Sequence, residues 1–191
     1  MNDRNLSSYI SYQVFRTKNQ LDKIRSGKVD EHDACCGNYS VEETKKIYDS
    51  ISKSYDDKVG FDEWLTGVDR LRKKVMLNIH GDVLEVAAGS GRNLEQYEKR
   101  RDNINSLVLS DKSVGMLRQA KEKFSKDFSK QDIVAYKVID AHNMPFNDNQ
   151  FDCSIDTFGL CSFEDPVKVL KEMNRVTKPG GKIILLEHGV S

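Results

Sequence analysis

The chain has no long hydrophobic run: its apolar stretches are strand-length, short of the roughly 20 residues that a membrane-spanning helix needs. It also has no excess of charge. Thirty basic and thirty acidic side chains cancel, so no basic footprint points to nucleic acid. Cysteine is sparse: Cys35, Cys36, Cys153 and Cys161 form no C-x-x-C pair, and the four histidines lie far apart, so no metal-ligand pattern is present. Cys153 and Cys161 fall on or beside an apolar segment and read as buried thiols, while Cys35-Cys36 reads as an incidental loop feature. Free thiols of this kind suit a reducing compartment such as the cytoplasm. At 191 residues the length fits one domain.

The most informative stretch is Asp82-Val83-Leu84-Glu85-Val86-Ala87-Ala88-Gly89-Ser90-Gly91-Arg92-Asn93. An apolar, strand-like run carries an acid, passes into five small residues, and then enters a helix-compatible segment. A strand, a Gly-rich turn and a helix together bring bare backbone to a ligand at the carboxyl edge of an open α/β sheet. A dinucleotide fits poorly. The pattern G-x-G-x-x-G, begun at Gly89, would place its third glycine at Leu94, and begun at Ala87, at Arg92. Glu85 would also repel a pyrophosphate, whereas it suits a cationic ligand. An ordinary tight turn without a ligand is the plainer alternative.

Three more units follow in order. Leu107-Val108-Leu109-Ser110-Asp111 is an apolar strand ending in an acid about 20 residues beyond Gly91, the spacing at which a carboxylate reaches a ribose diol in a βαβ unit. Asp111 also suits the N-cap of a helix beginning near Ser113. Ile133–Ile139 alternates toward Asp140-Ala141-His142-Asn143-Met144-Pro145-Phe146, and Phe151–Phe158 gives a fourth strand. Asp165 and Pro166 open a helix whose apolar face carries Val167, Leu170, Met173 and Val176. Lys178-Pro179-Gly180-Gly181 then brackets a fifth strand, Lys182–Glu187.

The segment Glu85-x-Ala87-x-Gly89-x-Gly91 resembles the first motif of class I S-adenosylmethionine-dependent methyltransferases, E/D-x-G-x-G-x-G, with Ala87 in the first glycine's place. Asp140–Phe146 resembles the same family's D-A-x-x-L-P-F, and Phe151-Asp152-Cys153-Ser154 its F-D-x-V. The Leu160–Pro166 segment and Leu186-Glu187-His188-Gly189 look like the methyltransferase type 11, ubiquinone-biosynthesis-like group. The resemblance covers about Val41 to Gly189. It implies an α/β, Rossmann-like, doubly wound and mostly parallel sheet, with S-adenosyl-L-methionine as cofactor. Glu85, Ala87, Gly89, Gly91, Asp111, Lys112, Asp140, Ala141 and Thr157 are the candidate cofactor-binding residues. Asp111 would hold the ribose, with Lys112 and Ser113 near the adenine. The Asp140 carboxylate would accept from the adenine amino group, and the Ala141 N–H would donate to the ring. No catalytic base is assigned, and His142 and His188 read as solvent-facing rather than catalytic.

By this reading residues 1–39 form a polar appendage, partly helical or disordered, with Tyr9, Tyr12 and Phe15 striping a helix face. Residues 40–191 form the methyltransferase-like domain, with N-terminal helices over 40–80 and the cofactor-binding core over 81–191. Ser40-x-x-Glu43 is a capping box, and a helix runs from about Phe61 to Ile79. Tyr48–Asp56 resembles the family's entry segment, and Tyr55 could either touch the cofactor or rest on the core. A complete class I fold has two further antiparallel strands beyond strand five. With the sequence ending at Ser191, the Ile183–Leu186 edge would be open to pairing. The expectation is either a truncated product, or an edge covered by a partner chain, a second copy or a shifted N-terminal segment. The expected activity is methyl transfer to a small molecule, quinone- or lipid-like or a thiol, in the cytoplasm, with the mitochondrion as alternative. A non-catalytic subunit that binds the cofactor or pairs with a full-length partner is the second reading.

Overall fold

A computed structural model describes residues 68–188 continuously, together with 9–14, 42 and 46. The capping box, Tyr48, Tyr55, Cys35, Cys36 and the helix residues before Val68 lie outside the described residues. Among the described residues, six strands form one parallel sheet in the order β1-β6-β5-β2-β3-β4. They are β1 (Tyr9–Val14), β2 (Gly81–Val86), β3 (Ile104–Asp111), β4 (Val134–Val138), β5 (Phe151–Thr157) and β6 (Thr177–His188). The helices are α1 (Val68–Val75), α2 (Leu94–Arg100), α3 (Val114–Asp127) and α4 (Pro166–Val176).

The pattern that makes these elements is simple. β2 alternates, so Val83 and Glu85 share one face and Leu84 and Val86 the other. The first face packs with Val68 and Val75 of α1, Tyr97 of α2 and Phe124 of α3. The second packs with Val169, Met173 and Val176 of α4 and with Met144. The result is the three-layer α/β arrangement, buried on both sides of the central strands. α4 begins as its sequence directs: the Asp165 side chain accepts from the Lys168 N–H at 2.9 Å, and Pro166 stands in the first turn. The N-cap of α3 is Ser113, which accepts from the Met116 N–H at 3.1 Å. Asp111 therefore does not hold that position.

Two boundaries differ from the sequence reading. The segment from Lys178 to Gly181, expected to precede the last strand, lies within β6, and the β5–β6 register shifts between Phe151 and Cys153 to accommodate it. The larger difference is β1. Tyr9–Val14, expected in a helical or disordered appendage, pairs parallel with Ile183–His188. The hexapeptide YISYQV is rich in aromatic and β-branched residues, which favour strands. Backbone pairing along the apolar edge of β6 satisfies groups that a lone helix there would leave open. Of the three covers expected for that edge (a partner chain, a second copy or a shifted N-terminal segment), the structure shows the third, with the chain's own Tyr9–Val14 paired along it. Among the described residues, no helix is long and apolar enough to cross a membrane.

Candidate functional site

A cleft open to solvent lies at the carboxyl ends of β2, β3 and β5 and beside the segment after β4. Its lining includes seven of the nine candidate residues: Ala87, Gly89, Asp111, Lys112, Asp140, Ala141 and Thr157. The carboxyl ends of parallel strands are where open α/β sheets place ligands. Gly89 lies at φ +55°, and a Cβ built there would meet nothing nearer than the Ala87 carbonyl at 3.9 Å. The missing side chain therefore leaves bare backbone facing open space. Asp111 braces this turn: its Oδ2 accepts from the Gly89 N–H at 2.8 Å and its Oδ1 from the Ser113 N–H at 2.8 Å.

Two candidates, Gly91 and Glu85, do not line the cleft. Gly91, at φ +78°, is closely packed: a Cβ would lie 3.1 Å from both Ala120 and Phe124, which would have to give by a few tenths of an ångström. It lets the loop pack closely on α3. Glu85 shares Val83's face of β2 and is buried at 1% exposure under α1 and α2. Its Oε1 accepts from Asn93 Nδ2 at 2.6 Å and its Oε2 from the Tyr97 hydroxyl at 2.8 Å. Arg72 Nη1 donates to Asn93 Oδ1 at 2.8 Å and to Thr157 Oγ1 at 3.0 Å, and Asn93 Nδ2 reaches Thr157 Oγ1 at 3.1 Å. Burial raises the Glu85 carboxyl to about 7, against the lowering effect of Tyr97, Asn93 and Arg72. Glu85 is thus the hub of a buried network behind the cleft wall, tying α1 and α2 to the strand ends.

Arg72, Asn93 and Tyr97 were not singled out from the sequence. A signal was present: Val68, Arg72 and Val75 occupy one helical stripe, so a cation stands where the pattern calls for an apolar residue. Asn93 and Tyr97 are four apart at the start of α2, which puts both over one face of the turn. A second unforeseen group is Arg175 on α4. It donates to the carbonyls of Met144 and Phe146, each at 2.8 Å, and pairs with Glu172 and Asp148. Glu172 in turn accepts from the Met144 N–H at 2.8 Å. These bonds fix the loop that carries Asp140 and Ala141, and hydrogen bonds from Arg175 hold the Glu172 carboxyl below its ordinary value.

The acids differ in environment. Burial works to raise the Asp140 carboxyl, but the His142 N–H, the His142 ring and Lys112 outweigh it and hold it below its usual range. Burial, and then the neighbouring Glu187 carboxyl, push Asp156 well above that range. Leu160 N–H is shared between Asp156 Oδ2 at 3.1 Å and Glu187 Oε1 at 3.3 Å, so the two acids converge on one donor beside the cleft loop. Cys153 is buried, as the sequence suggests, and Cys161 half-buried. His142 is pinned rather than solvent-facing, and the His188 side chain lies outside the described residues.

Residues 84–185 match the family model described as methyltransferase domain. The chain belongs to that family. The mitochondrial methyltransferase OMS1 of Saccharomyces cerevisiae is 36% identical over 161 residues, covering 77% of this chain and 34% of the yeast protein. The ubiquinone/menaquinone biosynthesis C-methyltransferase UbiE of Methylococcus capsulatus is 34% identical over 148 residues, covering 75% of this chain and 58% of that enzyme. The chain thus spans between a third and three-fifths of the length of these relatives. A solved structure from Methanococcus maripaludis, titled a putative S-adenosyl-L-methionine-dependent methyltransferase, superposes with a TM-score of 0.56 at 21% identity. It covers 74% of this chain and 63% of its own, and supports the Rossmann-like fold.

Within the methyltransferase domain, Ala87 replaces the more usual first glycine at φ +51°. An L-residue in this region carries roughly 1–2 kcal/mol of strain, against which glycine's extra chain entropy offsets about 0.5–1 kcal/mol. Ala87→Gly is therefore expected to leave stability unchanged or raise it by up to about 1 kcal/mol. Urea denaturation checks this, and a clear loss of stability would show that the methyl packs better than its backbone conformation costs.

Proposed function

We propose that this chain binds S-adenosyl-L-methionine in the cleft and transfers its methyl group to a small-molecule acceptor. The observation that carries the reading is the bare backbone at Gly89 set in one cleft with two carboxylates, Asp111 and Asp140. A carboxylate accepts hydrogen bonds and offers none, which suits a ribose diol at Asp111 and an exocyclic amino group at Asp140. The Ala141 N–H is then available to the purine ring, and Lys112, Thr157 and the turn at Ala87 complete the wall. Gly91 and Glu85 serve from behind, by setting the turn's packing on α3 and its anchorage to α1 and α2.

The cofactor, when bound, supplies a methyl group on an already activated sulfonium leaving group. The chain's own contribution is alignment, which in well-oriented reactions is worth on the order of 7–11 kcal/mol. A positioned base is required only where the acceptor's proton is reluctant to leave. The bacterial relative, named a ubiquinone/menaquinone biosynthesis C-methyltransferase, supports a quinone-like acceptor over a thiol. We place the protein in a reducing compartment. The cytoplasm is our reading, with the mitochondrion, for which the yeast relative is named, as the alternative.

Calorimetric titration with S-adenosylhomocysteine is the direct test, with saturable one-site binding expected. Transfer of labelled methyl from the cofactor into a quinone-containing lipid extract tests the chemistry. Binding without transfer to any extract would favour the non-catalytic reading. A folded protein that ignores the nucleoside at millimolar concentration would end both.

A further inference from the structure

We infer that His142 is a positioning residue that makes the site selective for a 6-aminopurine, acting through Asp140. The inference rests on the adenine reading of Asp140. The backbone N–H of Asp165 can only donate, and it points at His142 Nε2 at 3.2 Å. Nε2 is therefore the ring's acceptor, and the single proton of the neutral imidazole resides on Nδ1. Nδ1 lies 2.7 Å from Asp140 Oδ1 and so donates to it. The His142 backbone N–H donates to the same oxygen at 2.9 Å. A third contact fixes the ring plane: it stands edge-on to Phe163, with centroids 5.8 Å apart and planes at 81°.

These contacts join the two segments on which the cleft depends. Asp140, Ala141 and His142 line it from one side, and Phe163 and Glu164 line it next to the Asp165 N–H. With Oδ1 occupied twice by His142, Oδ2 is the oxygen that remains to accept from a ligand; the Lys112 ammonium approaches it at 3.5 Å. The His142 side chain is itself only 12% exposed. Its work is thus to turn the carboxylate, and to present an ionised acceptor that demands a donor from the base. A purine with a carbonyl at the same position would set two acceptors against each other.

The probes are S-adenosylhomocysteine and S-inosylhomocysteine, which exchange that amino group for a carbonyl. The wild type is expected to prefer the adenosyl compound by at least about a hundredfold, as sites built to pair a ligand N–H do. His142→Gln and His142→Phe, both without a donor at the Nδ1 position, are expected to lose adenosyl affinity by roughly ten- to a hundredfold, the worth of a hydrogen bond to a charged group. They should leave inosyl affinity nearly unchanged, so the preference collapses. His142→Asn keeps an N–H at the Nδ1 position and is expected to retain most of it. A role in folding alone would lower both affinities together. In the ligand-free wild type, nitrogen-15 NMR should find the His142 proton on Nδ1.

A preference unchanged in both donor-lacking variants, or a proton found on Nε2, overturns the inference while leaving cofactor binding standing. A wild type that binds neither nucleoside overturns the cofactor reading and this inference with it.

Discussion

Replacing Arg72 by methionine is expected to cost about 1.5–3 kcal/mol of unfolding free energy near pH 8, the range for losing hydrogen bonds made by a charged group, and distinctly less near pH 5.5. Arg72 is 4% exposed and lies in the same buried network as Glu85, through Asn93. It is also one of the groups that lower the Glu85 carboxyl from where burial alone would set it. With the folded value raised from 4.5 to about 7, the native protein holds a proton on Glu85 that the unfolded chain has released. Stability from this group is therefore greatest at low pH, falls as pH rises from about 4.5 to about 7, and is level above. The span is on the order of 3 kcal/mol. Without Arg72 the folded value moves higher still, so the penalty at alkaline pH grows, whereas near pH 5.5 Glu85 is already protonated and little charge is left stranded. Urea denaturation of both proteins at the two pH values measures the difference. An equal cost at both would mean that lost packing and hydrogen bonds, rather than the buried charge, account for the effect.

Much of the cleft was legible because its residues sit where strands stop. An apolar run closed by an acid, repeated at βαβ spacing, places Asp111 and Asp140 at the carboxyl edge from sequence alone, and both line the cleft. Glu85 shows where that logic runs out. It stands in the same motif, but one residue earlier than the strand's end, and the two-residue period of a strand turns it onto Val83's face, under α1 and α2. Its partners come from 13 residues before it and from 8 and 12 after it, so motif spacing alone did not show that they converge. β1 was hidden for a related reason. Tyr9, Tyr12 and Phe15 recur at helical spacing, and six residues satisfy either period. What decides between them is the apolar edge of β6, more than 170 residues away in sequence. The close packing of Gly91 was hidden for the same reason, since its neighbours Ala120 and Phe124 lie on a helix three elements later.

Gly159→Ala is expected to weaken S-adenosylhomocysteine binding by tenfold or more and to destabilise the fold by about 1–3 kcal/mol, the range for overpacking a filled core. The backbone is not the obstacle, because Gly159 lies at φ −93° and ψ −33°, an ordinary conformation for alanine. The obstacle is space. A Cβ would lie 2.2 Å from Asp156 Oδ1 and 2.7 Å from the Ala87 Cβ. Asp156 is fully buried, and its other oxygen is held by the N–H groups of Gly159 and Leu160 at 3.3 and 3.1 Å. Its Oδ1 has no hydrogen-bond partner among the described residues, so the close approach of the glycine is what fills that side of the carboxyl group. An alanine must therefore push the Phe158–Leu160 turn outward, and Phe158 and Gly159 belong to the cleft wall. Combining the substitution with Ala87→Gly removes the longer of the two clashes and should recover little, while combining it with Asp156→Ala removes the shorter and should recover more. Thermal unfolding and calorimetry on the single and double variants separate the cases. A Gly159→Ala protein with unchanged melting and binding would show that the turn yields at no cost, and recovery by Ala87→Gly instead would move the constraint from the buried acid to the first turn of the motif.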